Sequence, residues 1–411
     1  MKNFFKTYKS TIILLAAIIV GAIVGIVFGE KAAVLSPLGD IFLNLMFVAI
    51  VPLIFVTISS SISKMSGPKR LGKIMATIVG VFIFTSLVAV LIGLASTYSF
   101  KLVETEDGEQ IKASLESQDE SEETSEDLSL LERTVSVLTV NDFSGLFSKS
   151  NLIALLVVSI MTGLAINMSG EKGKPVQEFL ISANEVIVNF IKIIMYYAPI
   201  GLGSYFAALV GTYGASIAVG YAKTFIIYTV VCILFYAIIY SLYAFIAAGK
   251  KGVKAFWSNI IPATLTALAT CSSAASIAVN VDASKKIGVS DDISETLIPL
   301  GTSFHKDGSI IGSVFKIMFL VCLFGTTAGI FKVLLVALLV TLLVTAVPIG
   351  GGTISEMMIL TLMGFPINAL PILTIIATVI DAPATVLNVV GDTASSMLAA
   401  RVVDGKDWMQ K

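Results

Sequence analysis

Residues 381–392 read DAPATVLNVVGD and lie near the end of a long apolar segment. Within this stretch Asp381, Thr385, Asn388 and Asp392 follow one another at offsets of 4, 3 and 4 residues. Because residues three or four apart share one face of an α-helix, the spacing predicts a helix with a single polar stripe. Charged groups are costly inside a membrane and usually mark function, so we interpret this stripe as facing a ligand.

The composition excludes an ordinary water-soluble protein. Hydrophobic residues make up 56% of the chain and charged residues 13%, whereas soluble domains carry about 25% charged residues. A helix needs roughly 20 apolar residues to cross the bilayer, and most of the charge-free runs reach that length. These runs are Thr11–Phe28, Ile41–Ser63, Ile74–Phe100, Ser150–Gly170, Ile193–Ala222, Thr224–Gly249, Ala255–Val281, Val333–Ser355 and Met357–Ile380. The sequence therefore predicts an all-α polytopic membrane protein, with the first run kept as a span rather than cleaved as a signal peptide.

The charges are unevenly distributed along the chain. Twelve acids and two bases fall between Glu104 and Arg133, which leaves 25 bases against 16 acids elsewhere. The basic remainder suits contact with anionic lipid headgroups and gives no reason to expect a nucleic-acid partner. We interpret residues 104–133 as an acidic, disordered loop.

No enzymatic or cofactor motif accompanies these features. The three cysteines Cys232, Cys271 and Cys322 lie in apolar segments, so neither a disulfide framework nor a metal-ligand spacing is predicted. The sequence contains no nucleophile–base pair, phosphate loop or zinc motif. We therefore expect neither an enzyme nor an organic cofactor.

The basic residues predict the topology, because Lys and Arg in short loops mark the cytoplasmic side. With both termini in the cytoplasm, the acidic loop lies outside and the bases collect inside, at Lys2, Lys6, Lys9, Lys64, Lys69, Arg70, Lys73, Lys172, Lys174, Lys250, Lys251, Lys254, Lys285, Lys286, Arg401, Lys406 and Lys411. This alternation holds if two segments enter and leave the membrane on the same side.

Two apolar segments are broken midway by small residues, TCSSAAS at 270–276 and VPIGGGT at 347–353. Small residues also permit close helix packing, but two breaks in segments that must re-enter favour re-entrant hairpins. Paired interruptions of this kind point to the binding site of a transporter. Ser272 and Ser273 in the first break, and Gly350 and Gly351 in the second, are therefore candidate substrate contacts.

The chain's single histidine lies in the triplet His305-Lys306-Asp307, with apolar sequence on both sides. A regular helix would point one of three consecutive residues toward lipid, so we predict an unwound stretch at Gly308. An ion pair with Lys306 would account for one carboxylate of the polar stripe. It would not account for the hydroxyl of Thr385 or the amide of Asn388 in the same stripe. A second lysine in an apolar run, Lys316, is expected to extend its ammonium toward the membrane surface.

Several motifs make the chain resemble the dicarboxylate/amino acid:cation symporters, the family of the glutamate transporters. They are LGDIFL at 38–43 with VPLIF at 51–55, YAPIG at 197–201, the ungapped stretch from Thr270 to Ser309, and NVVGD at 388–392. The resemblance covers nearly the whole chain. It implies eight transmembrane helices plus two re-entrant helical hairpins with inverted repeats, an elevator mechanism, a homotrimer and a location in the cell membrane.

The resemblance also implies domain boundaries. Residues 1–103 would form spans 1–3, residues 104–133 the extracellular loop, residues 134–249 spans 4–6, and residues 250–411 the core transport domain.

Roles for individual residues follow from the same resemblance. Asp381 matches the aspartate that holds the substrate's amino group, Thr385 falls beside the substrate, and Asn388, Ser272 and Ser273 fall where the α-carboxylate is held. The family's sodium positions fall on Thr85, Ser86, Gly301, Asp307, Asn388 and Asp392. His305 and Lys306 are further candidates for coupling an ion or a proton, on account of their own charge. A sodium ion would have Asp307, Asn388 and Asp392 as its ligands.

Departures from the family pattern bear on substrate and ion. Ala384 stands where the family has an arginine that pairs an acidic side chain, and His305-Lys306 replaces an asparagine and a methionine. Without a guanidinium, a second substrate carboxylate loses its bidentate partner, so a neutral amino acid is the favoured solute. The ammonium of Lys306 is predicted to replace a sodium ion, with His305, whose ordinary pKa is near 6.5, as a second proton carrier.

Two other functions remain open from the sequence. A symporter for dicarboxylates or acidic amino acids could use Lys306 or His305 as the carboxylate partner. A substrate-gated anion channel or receptor could use the same fold.

Overall fold

The computed structural model describes residues 9–63, 71–103, 108–116, 139–148, 151–343 and 351–410, and the regular structure in these ranges is helical, without a strand. The helices of the first half are α1 (Lys9–Phe28), α2 (Ser36–Ser63), α3 (Leu71–Ser99), α4 (Gly108–Glu116), α5 (Phe143–Leu146), α6 (Leu152–Met168) and α7 (Lys174–Tyr213). Those of the second half are α8 (Ala215–Leu234), α9 (Tyr240–Asn259), α10 (Ile261–Thr270), α11 (Ser273–Ile287), α12 (Asp291–Phe304), α13 (Asp307–Leu323), α14 (Ile330–Leu343), α15 (Gly351–Met363) and α16 (Leu370–Val403).

The outward surface of these helices is apolar, as expected for a chain that lies in lipid. Ile19 and Val27 on α1 and Ile226 on α8 are 59%, 67% and 60% exposed. Among the described residues, four helical segments are long and apolar enough to cross a membrane, namely Ala16–Phe42, Ala76–Ser99, Ala215–Asn259 and Ile367–Val403. The all-α class and the apolar helices agree with the sequence, while eight spans and two hairpins stay a prediction.

Helix α16 forms the centre of the C-terminal half. It packs against α9, α10, α11, α12, α13 and α15, and also against α3. Every residue from Leu387 to Ala400 is buried, including Asn388 and Asp392. The helix predicted over residues 381–392 lies within α16 and continues through Pro383. The polar stripe is thus held inside a bundle of helices.

A second set of close contacts joins α7 to α1 and α2, and α2 to α6. Glycines permit the closest approach, because a Cβ on Gly21 of α1 would lie 2.2 Å from the carbonyl oxygen of Gly203 on α7. Such contacts between small residues are how helices pack tightly within lipid. The domain boundaries at residues 103, 133 and 249 stay a prediction.

Part of the acidic loop differs from the expectation. The sequence predicted disorder throughout residues 104–133, but Gly108–Glu116 forms α4. Ile111 and Leu115, one helical turn apart, are buried, and the side-chain amide of Asn368 donates to the carbonyl of Leu115 at 3.2 Å. Two apolar residues at helical spacing therefore outweigh the acidic composition locally. Residues 104–107 and 117–138 lie outside the described ranges.

Candidate functional site

The break between α10 and α11 consists of two residues, Cys271 and Ser272. Cys271 has a left-handed backbone with φ of 46°, which is uncommon for a residue with a Cβ. Ser272 is extended, and its hydroxyl accepts a hydrogen bond from the backbone N–H of Ala275 at 3.3 Å, so it caps α11. Ser273 opens α11 and is half-buried, as is Ser272. The predicted break is present, and the positive end of the α11 dipole lies at it.

A second break separates α12 from α13, at His305 and Lys306 rather than at Gly308. His305 and Lys306 have φ of −125° and −145°, while α13 already begins at Asp307. Gly308 serves close packing instead, because a Cβ there would lie 2.2 Å from the carbonyl oxygen of Ala384. The unwound residues aim the His305 ring at groups on α3 and α16.

His305 is completely buried and contacts three polar groups at once. Its Nδ1 lies 3.0 Å from Asp392 Oδ1, and its Nε2 lies 2.7 Å from Thr85 Oγ1. Asp307 Oδ1 lies 3.1 Å from Nε2 as well, and Phe82 stacks on the ring with a centroid distance of 4.6 Å. The imidazole therefore fills the space between the two carboxylates.

The other hydrogen bonds of Thr85 indicate which group donates in its contact with His305 Nε2. Its hydroxyl lies 3.0 Å from the carbonyl oxygen of Val81, and it has one proton to donate. Because the hydroxyl donates its proton in a hydrogen bond to the carbonyl oxygen of Val81, Thr85 accepts from Nε2 of His305. The other ring nitrogen, Nδ1, faces the carboxylate of Asp392. A ring that donates from both nitrogens is an imidazolium. Both carboxylates, Asp307 and Asp392, lie within ion-pair distance of the ring.

Close backbone approach surrounds this cluster. A Cβ on Gly301 would lie 2.2 Å from Asp392 Oδ1, and a Cβ on Gly391 would lie 2.9 Å from Asp307 Oδ2. The hydroxyl of Tyr240 lies 3.1 Å from Asp307 Oδ2. Gly301, a predicted coupling position, therefore makes room for a carboxylate.

Asn388 binds the first turn of α13. Its Oδ1 accepts from the backbone N–H of Ser309 at 3.1 Å, and its Nδ2 donates to the Ser309 hydroxyl at 3.0 Å. Thr385, one turn earlier on α16, is buried. Asn388 thus faces the helix that begins at Asp307.

The three predicted sodium ligands each contact other side chains or backbone groups. Asp307 and Asp392 face the His305 ring, and Asn388 faces Ser309. Within the described ranges no group of three or more His, Cys, Asp or Glu residues is arranged to hold a metal ion. The imidazole lies where an ion between the carboxylates would lie.

Asp381 differs from the other carboxylates of the stripe. Its side chain is exposed although α16 is surrounded by other helices. It forms no hydrogen bond or ion pair with another described residue. An accessible carboxylate without a partner can accept a cationic group from a ligand.

The remaining predicted positions differ in what they contact. Lys306 is half-buried and forms no ion pair with the residues described, whereas the His305 ring lies between the two carboxylates. The hydroxyl of Ser86 is buried and has no hydrogen-bond partner in the described part of the chain. Gly351 opens α15, and Gly350 lies outside the described residues.

Sequence reasoning missed two groups that lie close to the stripe. Tyr240 follows a π-helical turn at Phe235–Ile239, a feature often found at functional sites, and nothing in its sequence context indicates that role. Lys316 does not extend to the surface as predicted, because it is buried and paired with Glu356 at 3.0 Å. The isolated Glu356 between two charge-free runs could have indicated this pair.

Comparisons with known proteins agree with this architecture. The model of the sodium:dicarboxylate symporter family matches residues 11–402. The chain is 25% identical over 398 residues to a proton/sodium-glutamate symport protein of Bacillus caldotenax, covering 93% of this chain and 92% of that one. It is 28% identical over 411 residues to a C4-dicarboxylate transport protein of Pseudomonas syringae pv. tomato, covering 97% and 87%.

Proposed function

The chain belongs to the sodium:dicarboxylate symporter family, and on that basis we propose that it is a secondary active transporter that moves a neutral amino acid across the cell membrane. Members of this family are symporters rather than enzymes, and their names indicate sodium ions or protons as coupling ions. The proposal therefore concerns which solute and which ion this chain uses.

The exposed carboxylate of Asp381 is the observation that carries the amino-acid assignment. It lies on the polar stripe within an apolar helix and has no partner among the described residues. Carboxylates within apolar helices usually mark a functional site, and this one is accessible to a ligand. The α-ammonium of an amino acid is a cation of suitable size and charge, and its binding would neutralise Asp381.

The α-carboxylate of the same substrate needs donors nearby. The first turn of α11, with Ser272 and Ser273, presents hydroxyl groups and the positive end of a helix dipole. We propose that these groups and Asn388 hold the carboxylate and that Thr385 contacts the substrate beside them. Gly350 and Gly351 stay candidate contacts at the start of α15.

The substrate side chain is proposed to be neutral because Ala384 follows Asp381 by three residues on α16. An acidic side chain at this level would meet a methyl group instead of a guanidinium. Losing a charge-assisted contact costs about 1.5–3 kcal/mol. Aspartate and glutamate should accordingly bind more weakly than serine, threonine or alanine.

Coupling is proposed to depend weakly or not at all on sodium. The support is geometric, since the His305 ring lies between Asp307 and Asp392 and leaves these carboxylates engaged. Ser86, with its buried hydroxyl, and Lys306 stay candidate coupling residues, and the proton is the alternative coupling ion.

The wider architecture is proposed from the family and from the charge pattern. It comprises eight spans with two re-entrant hairpins, a transport domain at residues 250–411, cytoplasmic termini and a homotrimer working as an elevator. In this architecture the α10–α11 pair is the first hairpin and the α14–α15 pair the second.

A symporter of acidic solutes is the second candidate. Two observations favour it: the relatives are named for glutamate and for C4-dicarboxylates, and Lys306 forms no ion pair within the part of the chain that the structure describes. An ammonium without a fixed partner could hold a substrate carboxylate.

Uptake into proteoliposomes separates these functions. Radiolabelled serine and aspartate are offered with sodium and pH gradients imposed separately, and choline replaces sodium in the control. We expect serine uptake against its gradient in choline buffer, with a response to an inward proton gradient. Aspartate that outcompetes serine, threonine and alanine would support the second candidate instead.

A further inference from the structure

Helix α9 contains a tight turn that folds its second half back against its first half. Ala248 and Gly249 leave the helical conformation, and Gly249 has a positive φ of 61°. Residues eight positions apart in a continuous helix are separated by about 12 Å, yet a Cβ on Gly252 would overlap the carbonyl oxygen of Ala244. The returning half, residues 250–259, therefore runs antiparallel to the half before the turn.

Aromatic side chains hold the returning half in place. The indole N–H of Trp257 donates to the hydroxyl of Ser241 at 2.9 Å, although sixteen positions separate the two residues. The ring of Tyr236 packs edge-on against Trp257 with 5.1 Å between the centroids, and its hydroxyl lies 2.9 Å from that of Thr264. Trp257 is thereby fixed at the surface of the returning half, where it is half-buried.

One face of the returning half is exposed and changes from charged to apolar along its length. Helical hydrogen bonding continues from this half into α10, because Ile260 donates to Phe256 and Thr264 donates to Ile260. Offsets of three and four residues then place side chains on one helical face. That face carries, in order from the turn, Lys250, Lys254, Ser258, Ile261, Leu265 and Leu268, all of them exposed.

A pocket of about 460 Å³ opens on this face beside the turn. It is lined by Lys250, Val253, Lys254, Trp257 and Ser258. Both lysines are exposed and form no ion pair with another described residue. Lysines that only mark the cytoplasmic side would need neither a pocket with an indole nor an aliphatic continuation of the same face. The pocket offers two ammonium groups to an anion that also has an apolar part.

We propose that this pocket binds the headgroup of an anionic phospholipid, with the acyl chains lying along Ile261, Leu265 and Leu268. Basic pockets on the cytoplasmic side bind anionic headgroups, and tryptophan favours the level of the headgroups. The charge pattern predicts that the turn of α9 lies on that side, where the leaflet is anionic. The proposal is independent of the solute and of the coupling ion.

The test uses the tryptophan fluorescence of the intact chain in phosphatidylcholine vesicles. Increasing fractions of phosphatidylglycerol or phosphatidylcholine are added that carry bromine on the acyl carbons nearest the headgroup, because bromine quenches an indole that it contacts. Trp257 should be quenched at lower fractions of the brominated phosphatidylglycerol than of the brominated phosphatidylcholine. Trp257→Phe retains Trp408, which is buried, and should lose most of the quenching.

Two pairs of lysines separate the pocket from a general attraction of the surface. Each lysine near an anionic membrane surface contributes about a fivefold preference, so Lys250→Gln with Lys254→Gln should lower the preference for phosphatidylglycerol by about 25-fold. Arginine at both positions keeps the charges and should keep the preference. Lys285→Gln with Lys286→Gln is the matched control, because these ammonium groups are already paired with acidic side chains, and it should change nothing.

Five results would overturn the inference. Equal quenching by the two lipids would mean that the lysines do not select an anionic headgroup, and a preference retained without Lys250 and Lys254 would mean the same. Absence of quenching by either lipid would mean that a second copy or another segment covers the face. An equal fall in the control pair would indicate diffuse attraction instead of a pocket. Inorganic phosphate lacks acyl chains and should not relieve the quenching, so relief would indicate a site for a free anion.

Discussion

Replacing His305 with asparagine removes the ring that lies between Asp307 and Asp392. The ring nitrogens lie 3.1 and 3.0 Å from these carboxylates, and the side chains are at most 1% exposed. Opposite unit charges about 4 Å apart attract by about 4 kcal/mol at an effective dielectric near 20, and removing one member of a buried pair typically costs about 3–5 kcal/mol. We expect the free energy of unfolding of His305→Asn to fall by that amount in sodium-free buffer.

Sodium should then compensate for the missing ring. Asparagine is smaller than histidine and adds an amide oxygen, so the variant offers a space lined by oxygen ligands. A ligand present at about 100 times its Kd returns about 2.7 kcal/mol. Added sodium should therefore raise the Tm of His305→Asn and stimulate its uptake of serine, while the wild type changes little. Thermal unfolding and proteoliposome uptake in sodium and in choline measure both effects.

Lys306→Met is the matched control for this experiment. The neighbouring ammonium forms no ion pair with either carboxylate in the described chain, so its removal should cost less stability than removal of the His305 ring. Sodium dependence that appears in Lys306→Met and not in His305→Asn would assign the coupling role to Lys306 instead. Steep, saturable sodium dependence of wild-type uptake without any response to pH would refute the reasoning. So would a His305→Asn variant whose Tm and uptake do not respond to sodium.

Three further substitutions test the substrate site and the packing around it. Asp381→Asn should lose most amino-acid binding, because a buried ammonium needs a counter-charge; calorimetry that shows unchanged affinity would contradict the amino-acid assignment. Ala384→Arg should shift competition uptake toward aspartate over serine by about ten- to a hundredfold, and an unchanged preference would mean that position 384 does not face the substrate. Gly308→Ala should lower the free energy of unfolding by about 1–3 kcal/mol, because its Cβ would lie 2.2 Å from a carbonyl oxygen, whereas Gly80→Ala, with no described neighbour within 4 Å outside its own helix backbone, should not.

The features that could be predicted from the sequence depend on local spacing. The offsets between Asp381 and Asp392 indicated one helical face, and α16 carries them on one continuous helix. The small residues at 270–276 indicated a break, which the left-handed Cys271 and the capping Ser272 provide. These patterns involve residues close in sequence, where backbone geometry alone determines which side chains are neighbours.

Pairings between distant residues could not be predicted in this way. His305 and Asp392 are separated by 87 positions in the chain, and only the packing of α12, α13 and α16 brings them together. The sequence favoured Lys306 as the cation because it takes the place of a neutral methionine beside Asp307, but the extended backbone at both residues points the histidine at the carboxylates. Gly308 was expected to unwind the helix, whereas its lack of a side chain allows α16 to approach.

The charges inside the bundle limit how many coupling ions this chain needs. Leaving aside Lys332, whose ammonium binds the carbonyl of Met363 at the end of α15, the acidic, basic and histidine residues from 301 to 392 are His305, Lys306, Asp307, Lys316, Glu356, Asp381 and Asp392. With His305 as an imidazolium, three cations face four carboxylates and one negative charge remains. A neutral amino acid is a zwitterion and leaves that sum unchanged, although its ammonium joins Asp381. Moving one elementary charge against 100 mV costs about 2.3 kcal/mol. One coupled monovalent cation per substrate would cancel the remaining negative charge and make the loaded site neutral. The chain's own cationic side chains neutralise the other three carboxylates.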